Sequence, residues 1–289
     1  MRHFVLPRAD YEILPDSCRV VGLAGTGSKD TVVEDASVPD HRALNAHEVS
    51  EGILTERNRP GNPLYTMPFG VMFSSAISAV TLGIAEGALA AFLAYTRQRI
   101  TIVGSRAAED PHQLTGPGEA AADLDASRTH LLATTDRMYE DVLTGRAIGI
   151  EARTEARRNQ VRASRRATDV VDALFRRAGG GSLRLDQPLQ RHWRDVHAAM
   201  NHLCNVADSV YEGWSRDQFG LPVGIRVLVC PLHRTLLPRP TAPVAAGVPA
   251  RPRPRPWPGS LSLPGQHGHR KPHRSTAASG HGTKQCQPV

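Results

Sequence analysis

The sequence predicts a mainly α fold, a four-helix bundle preceded by a partial β domain and followed by a disordered C-terminal tail. Three observations support this. Four stretches between about residues 74 and 214 repeat apolar side chains at steps of three and four residues, the period of a helix buried on one face. Short β-prone runs separated by Asp, Pro and Gly fill residues 1–45. From residue 218 onward there is no Asp or Glu, and proline is frequent.

Residues 1–45 contain three predicted strands, at 4–7, 18–23 and 31–33. Two or three short strands cannot close a sheet with two covered faces. We therefore expect a partial β domain over 1–45, followed by a connecting loop over 46–72.

The first two long helices follow. The first begins near Ser74, and we expect Gly83 and Gly87 to allow close helix approach. Its predicted buried face consists of Phe73, Ile77, Val80, Ile84, Ala88, Ala91 and Tyr95. A loop containing Pro111, Gly116 and Pro117 is expected to end it. The second helix buries Leu124, Leu131, Thr135, Met138 and Val142 and ends near Gly145.

The third helix is predicted over 151–177, with a strongly basic outer face. Its apolar positions are Val161, Ala167, Val170, Leu174 and Phe175. Pro188 marks the entry of a fourth helix, predicted as continuous to Trp214. Four long helices joined by short loops form an antiparallel bundle, here the domain 73–223.

The positive charge of the chain is concentrated in the tail. Ten Lys and Arg residues between 226 and 284 exceed the net charge of +7, so the preceding region has a net charge of −3 (+7 minus 10). The tail also holds twelve of the 22 prolines, including an Arg-Pro repeat at 251–258. Such a composition predicts a disordered segment over 224–289. The charge pattern does not favour nucleic-acid binding by a folded face.

The four cysteines show neither metal-ligand spacing nor a paired framework, and the tail histidines imply no fixed geometry, so no metal site is predicted. A reduced, cytoplasmic setting fits this cysteine usage. No stretch approaches about 20 uninterrupted apolar residues, so no membrane span is expected.

Five dispersed segments carry a resemblance to a known family. Trp193-Arg194-Asp195-Val196-His197-Ala198 and Phe219-Gly220-Leu221-Pro222 resemble the C-terminal helical domain of the oxygenase subunits of two-component flavin-dependent aromatic monooxygenases, which use the acyl-CoA dehydrogenase fold. Residues 20–28, 65–70 and 158–162 match other parts of that family in the same order.

The resemblance covers about residues 1–223. It implies a chain truncated at its N-terminus, lacking a first helical domain and half of the β domain, so the activity of this fragment is left open. It also leads us to expect that the tail arises from a shifted reading frame or a fusion.

The resemblance implies hydroxylation of a phenolic or steroid-derived aromatic substrate. Reduced FMN or FAD, supplied by a separate flavin reductase, reacts with dioxygen, and one oxygen is transferred to the carbon ortho to the phenol hydroxyl. The family also implies a homo-oligomer, a tetramer.

His197 is the candidate catalytic residue that the resemblance implies. A histidine beside a phenol accepts its proton or a hydrogen bond and makes the ring electron-rich. The alternative for a histidine on an amphipathic helix is a packed or surface residue. Arg194 and Asp195 lie on other faces and are expected to cap or pair with neighbouring helices.

Three further groups are candidate flavin contacts. Thr26, Gly27 and Ser28 are expected to follow a strand and lie near the flavin, with a plain tight turn as the alternative. Ala24 stands where the family pattern usually has Arg, which removes a positive charge there.

Arg99 matches the position that holds the flavin phosphate in relatives on this fold. A guanidinium suits a phosphate, but a cation at a helix C-terminus is an equal alternative. Gly179 and Gly180 resemble the glycine turn that packs against the cofactor, often from a neighbouring subunit. A helix C-cap explains these glycines nearly as well.

Two other functions stay open. An acyl-CoA dehydrogenase-like oxidoreductase would use a carboxylate base such as Glu212, but this residue lies seventeen positions after Asp195, whereas that class places its glutamate about two helical turns after the Arg-Asp pair. A non-catalytic helical fragment would bind acidic partners or nucleic acid through its basic tail.

Overall fold

The computed structural model describes residues 2–51 and 53–224, with the backbone alone at 55 and 56. Apart from Gly224, the predicted disordered tail lies outside the described residues. Within them the helices are α1 Ala46–Ser50, α2 Ile53–Asn58, α3 Phe69–Gln98, α4 Pro111–Leu143, α5 Ile150–Ala178, α6 Pro188–Met200 and α7 Ala207–Gln218. The strands are β1 Arg2–Phe4, β2 Glu12–Ile13, β3 Thr31–Val32 and β4 Ala43–Asn45.

The predicted mainly α fold with a helical bundle is confirmed. Helices α3, α4 and α6 all pack against α5, and α7 packs on α5 as well. Local signals set the helix ends. Asp110 accepts a hydrogen bond from the His112 backbone N–H at 2.9 Å, and Pro111 occupies the first position of α4. Gly179, with φ of 70°, ends α5 in a conformation that favours glycine.

The predicted core positions of the second and third helices are largely confirmed. Leu124, Leu131, Met138 and Val142 of α4 are buried. On α5 the buried positions include Val161, Ala167, Val170 and Leu174, while Phe175 is partly buried against them. The main core joins these side chains to Leu82, Ala85, Ala88 and Phe92 of α3 and to Leu189 and Val196 of α6. Aliphatic burial between four helices therefore holds the bundle together.

The predicted buried face of the first helix was wrong in part. Val80, expected inside, is 56% exposed, whereas Ser74, Ser78 and Thr81 are buried. The Ser78 hydroxyl donates to the Gln160 carbonyl of α5 at 3.1 Å. Small side chains let α5 approach closely, and their hydroxyls find backbone acceptors, so a pattern of large apolar residues alone misses this face.

The two glycines singled out on α3 behave differently. A Cβ on Gly87 would lie 2.7 Å from the His192 ring of α6, so the predicted close approach is confirmed there. No side chain or backbone of another element lies within 4 Å of a Cβ placed on Gly83, so the prediction was wrong for that residue.

Pro117 does not interrupt a helix, contrary to expectation. Helix α4 begins at Pro111 and runs through Pro117. A proline in a helix loses one backbone hydrogen bond. Packing against the end of α5 offsets this loss, because Gly116 makes room for the Arg177 side chain and Gln113 donates to the Arg177 carbonyl at 3.3 Å.

The predicted fourth helix is two helices, α6 and α7, separated by a short turn at Leu203–Asn205. The buried Arg157 guanidinium on α5 donates to the Cys204 carbonyl at 2.7 Å. Asn205 donates to the Ala199 carbonyl at 2.9 Å. A buried charge needs such acceptors, and the carbonyls inside a helix are already engaged, so the turn between α6 and α7 supplies a free carbonyl to Arg157.

The N-terminal region forms two antiparallel pairs, β1 with β4 and β2 with β3. The strand predicted at 18–23 is absent, and this segment is irregular backbone. The connecting loop predicted over 46–72 contains α1, α2 and the start of α3.

Helix α3 is long and apolar enough to cross a membrane by length and composition, which corrects the expectation that no segment is. A third of its most apolar stretch is buried inside the structure (33%), and the core helix of a soluble protein meets the same criteria.

Candidate functional site

His197 lies on α6 with its ring held between two neighbours. Its Nε2 is 3.0 Å from Oδ1 of Asp172 on α5. The Trp193 ring, one turn earlier on α6, lies 4.6 Å from the imidazole centroid to centroid. The side chain is 38% exposed, so the imidazole is partly open to a ligand.

Asp172 joins two donors. The same oxygen, Oδ1, accepts the Trp193 indole N–H at 2.7 Å. Phe175 stacks on Trp193 with 5.3 Å between the ring centroids. The imidazole therefore sits in an aromatic and acidic corner built by α5 and α6.

The segment before Thr26 is fastened to the helix that carries His197. The Leu23 backbone N–H donates to Asp195 at 2.7 Å, and the Arg194 guanidinium donates to the Val21 carbonyl at 2.7 Å. Gly22 lies so close to the Arg194 carbonyl that any side chain there would collide. Arg194 and Asp195 thus have structural roles, but with this loop rather than with neighbouring helices as expected.

Thr26 ends a short helical turn, Ala24–Thr26, and Gly27 and Ser28 follow this turn rather than a strand, which corrects the expectation. Gly27 has φ of 65°, and the hydroxyls of Thr26 and Ser28 lie 3.1 Å apart on the surface. These exposed hydroxyls bond each other and keep further hydrogen-bonding capacity for a ligand placed over this turn.

Arg99 and the glycine turn do come together. Arg99 Nη1 donates to the carbonyls of Ala178 at 2.6 Å and Arg177 at 3.3 Å, so it caps the C-terminus of α5. The turn that follows contains Gly179 and Gly180. Arg99 therefore has a helix-end contact, but with the end of α5 and not with the end of its own helix α3, where the sequence placed this alternative role.

A cavity of about 400 Å³ opens beside Arg99. Its walls are formed by Ala91, Ala94, Tyr95, Gln98, Arg99, Gln187 and Pro188. Among the described residues no hydrogen bond or ion pair engages Nε or Nη2 of Arg99, and a Cβ on Gly180 would meet open space. A free guanidinium edge beside an open glycine backbone suits a phosphate, so these residues fit the phosphate end of a flavin.

Comparison with known proteins identifies the bundle. Residues 75–206 match the family described as acyl-CoA dehydrogenase, C-terminal domain. The chain contains an acyl-CoA dehydrogenase C-terminal domain. The chain is 43% identical over 220 residues to a pigment production hydroxylase of Rhodococcus erythropolis. The matching region covers 76% of this chain and 56% of that relative.

Other relatives of this domain are flavin-dependent monooxygenases. The oxygenase subunit HsaA from Mycobacterium tuberculosis is 38% identical over 223 residues, 76% of this chain and 56% of HsaA. The crystal structure of 3-HSA hydroxylase from Rhodococcus sp. RHA1 superposes with a TM-score of 0.72 at 37% identity, covering 77% of this chain and 57% of that one. The resemblance found in the sequence is confirmed. The chain spans about half the length of the curated relatives it matches.

The carboxylate considered as a dehydrogenase base lies on the surface, beyond the residues that match the family. Glu212 is on α7 with its side chain 66% exposed, and it pairs with Arg216 one turn later at 3.5 Å. This geometry gives Glu212 the role of a surface ion pair.

Sequence reasoning missed Asp172, and it assigned Tyr95 only to the buried face of the first helix. Asp172 lies 25 positions before His197, and no local pattern links two residues that only helix packing brings together. Tyr95 lines the cavity, and its hydroxyl fills the space where Gly181 lacks a side chain. The i, i+4 spacing of Tyr95 to Arg99 and of Trp193 to His197 could have identified both aromatic neighbours.

Proposed function

We propose that this chain supplies the helical bundle of an oxygenase component that hydroxylates a phenolic or steroid-derived aromatic ring. The supporting observation is the His197 imidazole, whose Nε2 pairs with Asp172 and whose Nδ1 has no partner among the described residues. A ring nitrogen free to accept a proton, on a partly exposed side chain, is what a phenol hydroxyl needs.

Reduced FMN or FAD, delivered by a flavin reductase component, supplies the electrons with which dioxygen adds one oxygen atom to the ring and releases the other as water. Arg99, Gly179 and Gly180 are the proposed contacts to its phosphate end, and Thr26, Gly27 and Ser28 are proposed to border its ring. His197 accepts the phenol proton at Nδ1. The proposal also includes a cytoplasmic location for the protein and its assembly as a homotetramer.

The test is hydroxylation by the full 289-residue chain, given chemically reduced flavin, dioxygen and a panel of phenols. We expect hydroxylated product, and His197→Asn lowers its rate by about 10²- to 10⁴-fold, the usual contribution of general base catalysis. His130→Asn is the matched control, because His130 is exposed on α4 and lines a different cavity.

Two results contradict the proposal. One is a His197→Asn variant that hydroxylates as fast as the unchanged chain. The other is a chain that binds flavin and bleaches it with an acyl-CoA but forms no hydroxylated phenol, which identifies a dehydrogenase instead.

A further inference from the structure

The contact between Asp172 and His197 determines which nitrogen of the imidazole carries the proton. An ionised carboxylate only accepts hydrogen bonds. Asp172 Oδ1 lies 3.0 Å from Nε2 of His197, so Nε2 is the donor, and in the neutral ring Nδ1 then holds the free lone pair.

We propose that Asp172 is a positioning residue that holds His197 in the Nε2–H tautomer, so that Nδ1 is the atom that takes the proton from the substrate. The inference deepens the proposed function and rests on it for its catalytic part. No step moves a proton to Asp172. The carboxylate orients the ring and fixes the tautomer.

Trp193 makes this arrangement rigid. Its indole N–H is a donor only, and it engages the same Oδ1 at 2.7 Å. Its ring also contacts the imidazole face at 4.6 Å and stacks on Phe175. Asp172 is therefore fixed by one neighbour while it orients the other.

Orientation outweighs charge at this position. The side chains of Asp172 and His197 are 29% and 38% exposed, so solvent screens their mutual attraction. The hydrogen-bond geometry survives this exposure because α5 and α6 both contribute to the main core.

The tautomer is measurable without any activity. In the full chain labelled with ¹⁵N-histidine, two-bond ¹H–¹⁵N correlations at pH 8 distinguish Nε2–H from Nδ1–H, and the signals of His197 are those lost in His197→Gln. We expect the Nε2–H form in the unchanged chain. Asp172→Asn, which can face the ring with either its oxygen or its amide group, shifts His197 towards a mixture with Nδ1–H.

Two further variants separate positioning from general structural damage. Asp169→Asn removes an exposed carboxylate three residues earlier on α5, and it leaves the tautomer unchanged. Trp193→Phe removes the indole donor but keeps the Asp172–His197 pair, so Nε2–H persists in this variant. An Nδ1–H form in the unchanged chain overturns the proposal, as does an Asp172→Asn spectrum identical to that of the unchanged chain.

Hydroxylation rates test the catalytic part separately. Asp172→Asn is expected to lower kcat on the order of tenfold or more, with little change in the KM for the phenol, because the base is misoriented rather than removed. A tautomer shift without a change in kcat overturns the catalytic part. A tautomer shift in a chain that hydroxylates no phenol leaves the positioning intact and rejects the proposed function instead.

Discussion

His192 occupies the notch that Gly87 leaves on α3. Burial in this notch, assisted by the charge of Arg191 and opposed by that of Asp195, holds the pKa of His192 below its ordinary value. The folded chain therefore keeps this imidazole neutral at a pH where the unfolded chain protonates it. Because the unfolded state then binds more protons, the stability contributed by this site falls as pH drops below about 6.5, the ordinary histidine pKa.

We expect this site to make folding less stable at pH 5.5 than at pH 7.5. His192→Gln has no proton to take up, so its free energy of unfolding should fall less between these two values than that of the unchanged chain. Urea unfolding followed by circular dichroism measures both. His130→Gln, at an exposed position, should keep the full decrease. An equal decrease in His192→Gln and the unchanged chain contradicts the prediction.

At the scale of elements, the sequence predicts which positions of a single helix are buried. It misses the helix breaks and side-chain contacts that result from packing between two helices. The regular apolar spacing on α5 predicts the buried face of this helix, and the buried positions include Val161 and Leu174 as predicted. The break between α6 and α7 has no such signal, because its cause, the buried Arg157, lies some 47 residues away. For the same reason, the local sequence around His197 does not reveal its contact with Asp172.

Arg99 has two roles to distinguish at the end of α5, a helix cap and a proposed phosphate contact. One variant separates them. Arg99→Gln loses two charge-assisted bonds to the last carbonyls of α5, so stability should fall by about 1–3 kcal/mol. If Arg99 also holds a phosphate, the variant binds FMN about tenfold more weakly than the unchanged chain does, a loss of about 1.4 kcal/mol. Riboflavin, which lacks the phosphate, then binds both proteins equally.

Fluorescence titration of the two flavins measures this difference, and unfolding by urea measures the stability. Arg97→Gln is the matched control, since Arg97 is exposed in the last turn of the same helix. Equal weakening of FMN and riboflavin in Arg99→Gln would mean that the guanidinium acts only as a helix cap.

For the whole molecule, the hairpin that follows α3 presents apolar side chains to solvent. The Thr101 N–H donates to the Ser105 carbonyl at 2.8 Å, and Gly104, with φ of 81°, makes the turn. The tip carries Ile102 and Val103, which are 104% and 83% exposed. Two neighbouring aliphatic side chains on a fixed turn would gain free energy if another protein surface covered them.

We expect a second copy of this chain to cover the tip, in line with the proposed homotetramer. Replacing Ile102 and Val103 together with Asp should shift the protein towards monomer in sedimentation velocity, without loss of helical circular dichroism, because the tip lies outside the buried core. Ala122→Asp with Ala126→Asp adds the same charge to the exposed surface of α4 and should leave the assembly unchanged. If the unchanged chain is already monomeric at tens of micromolar, or if both double variants dissociate alike, the tip does not join copies of this chain.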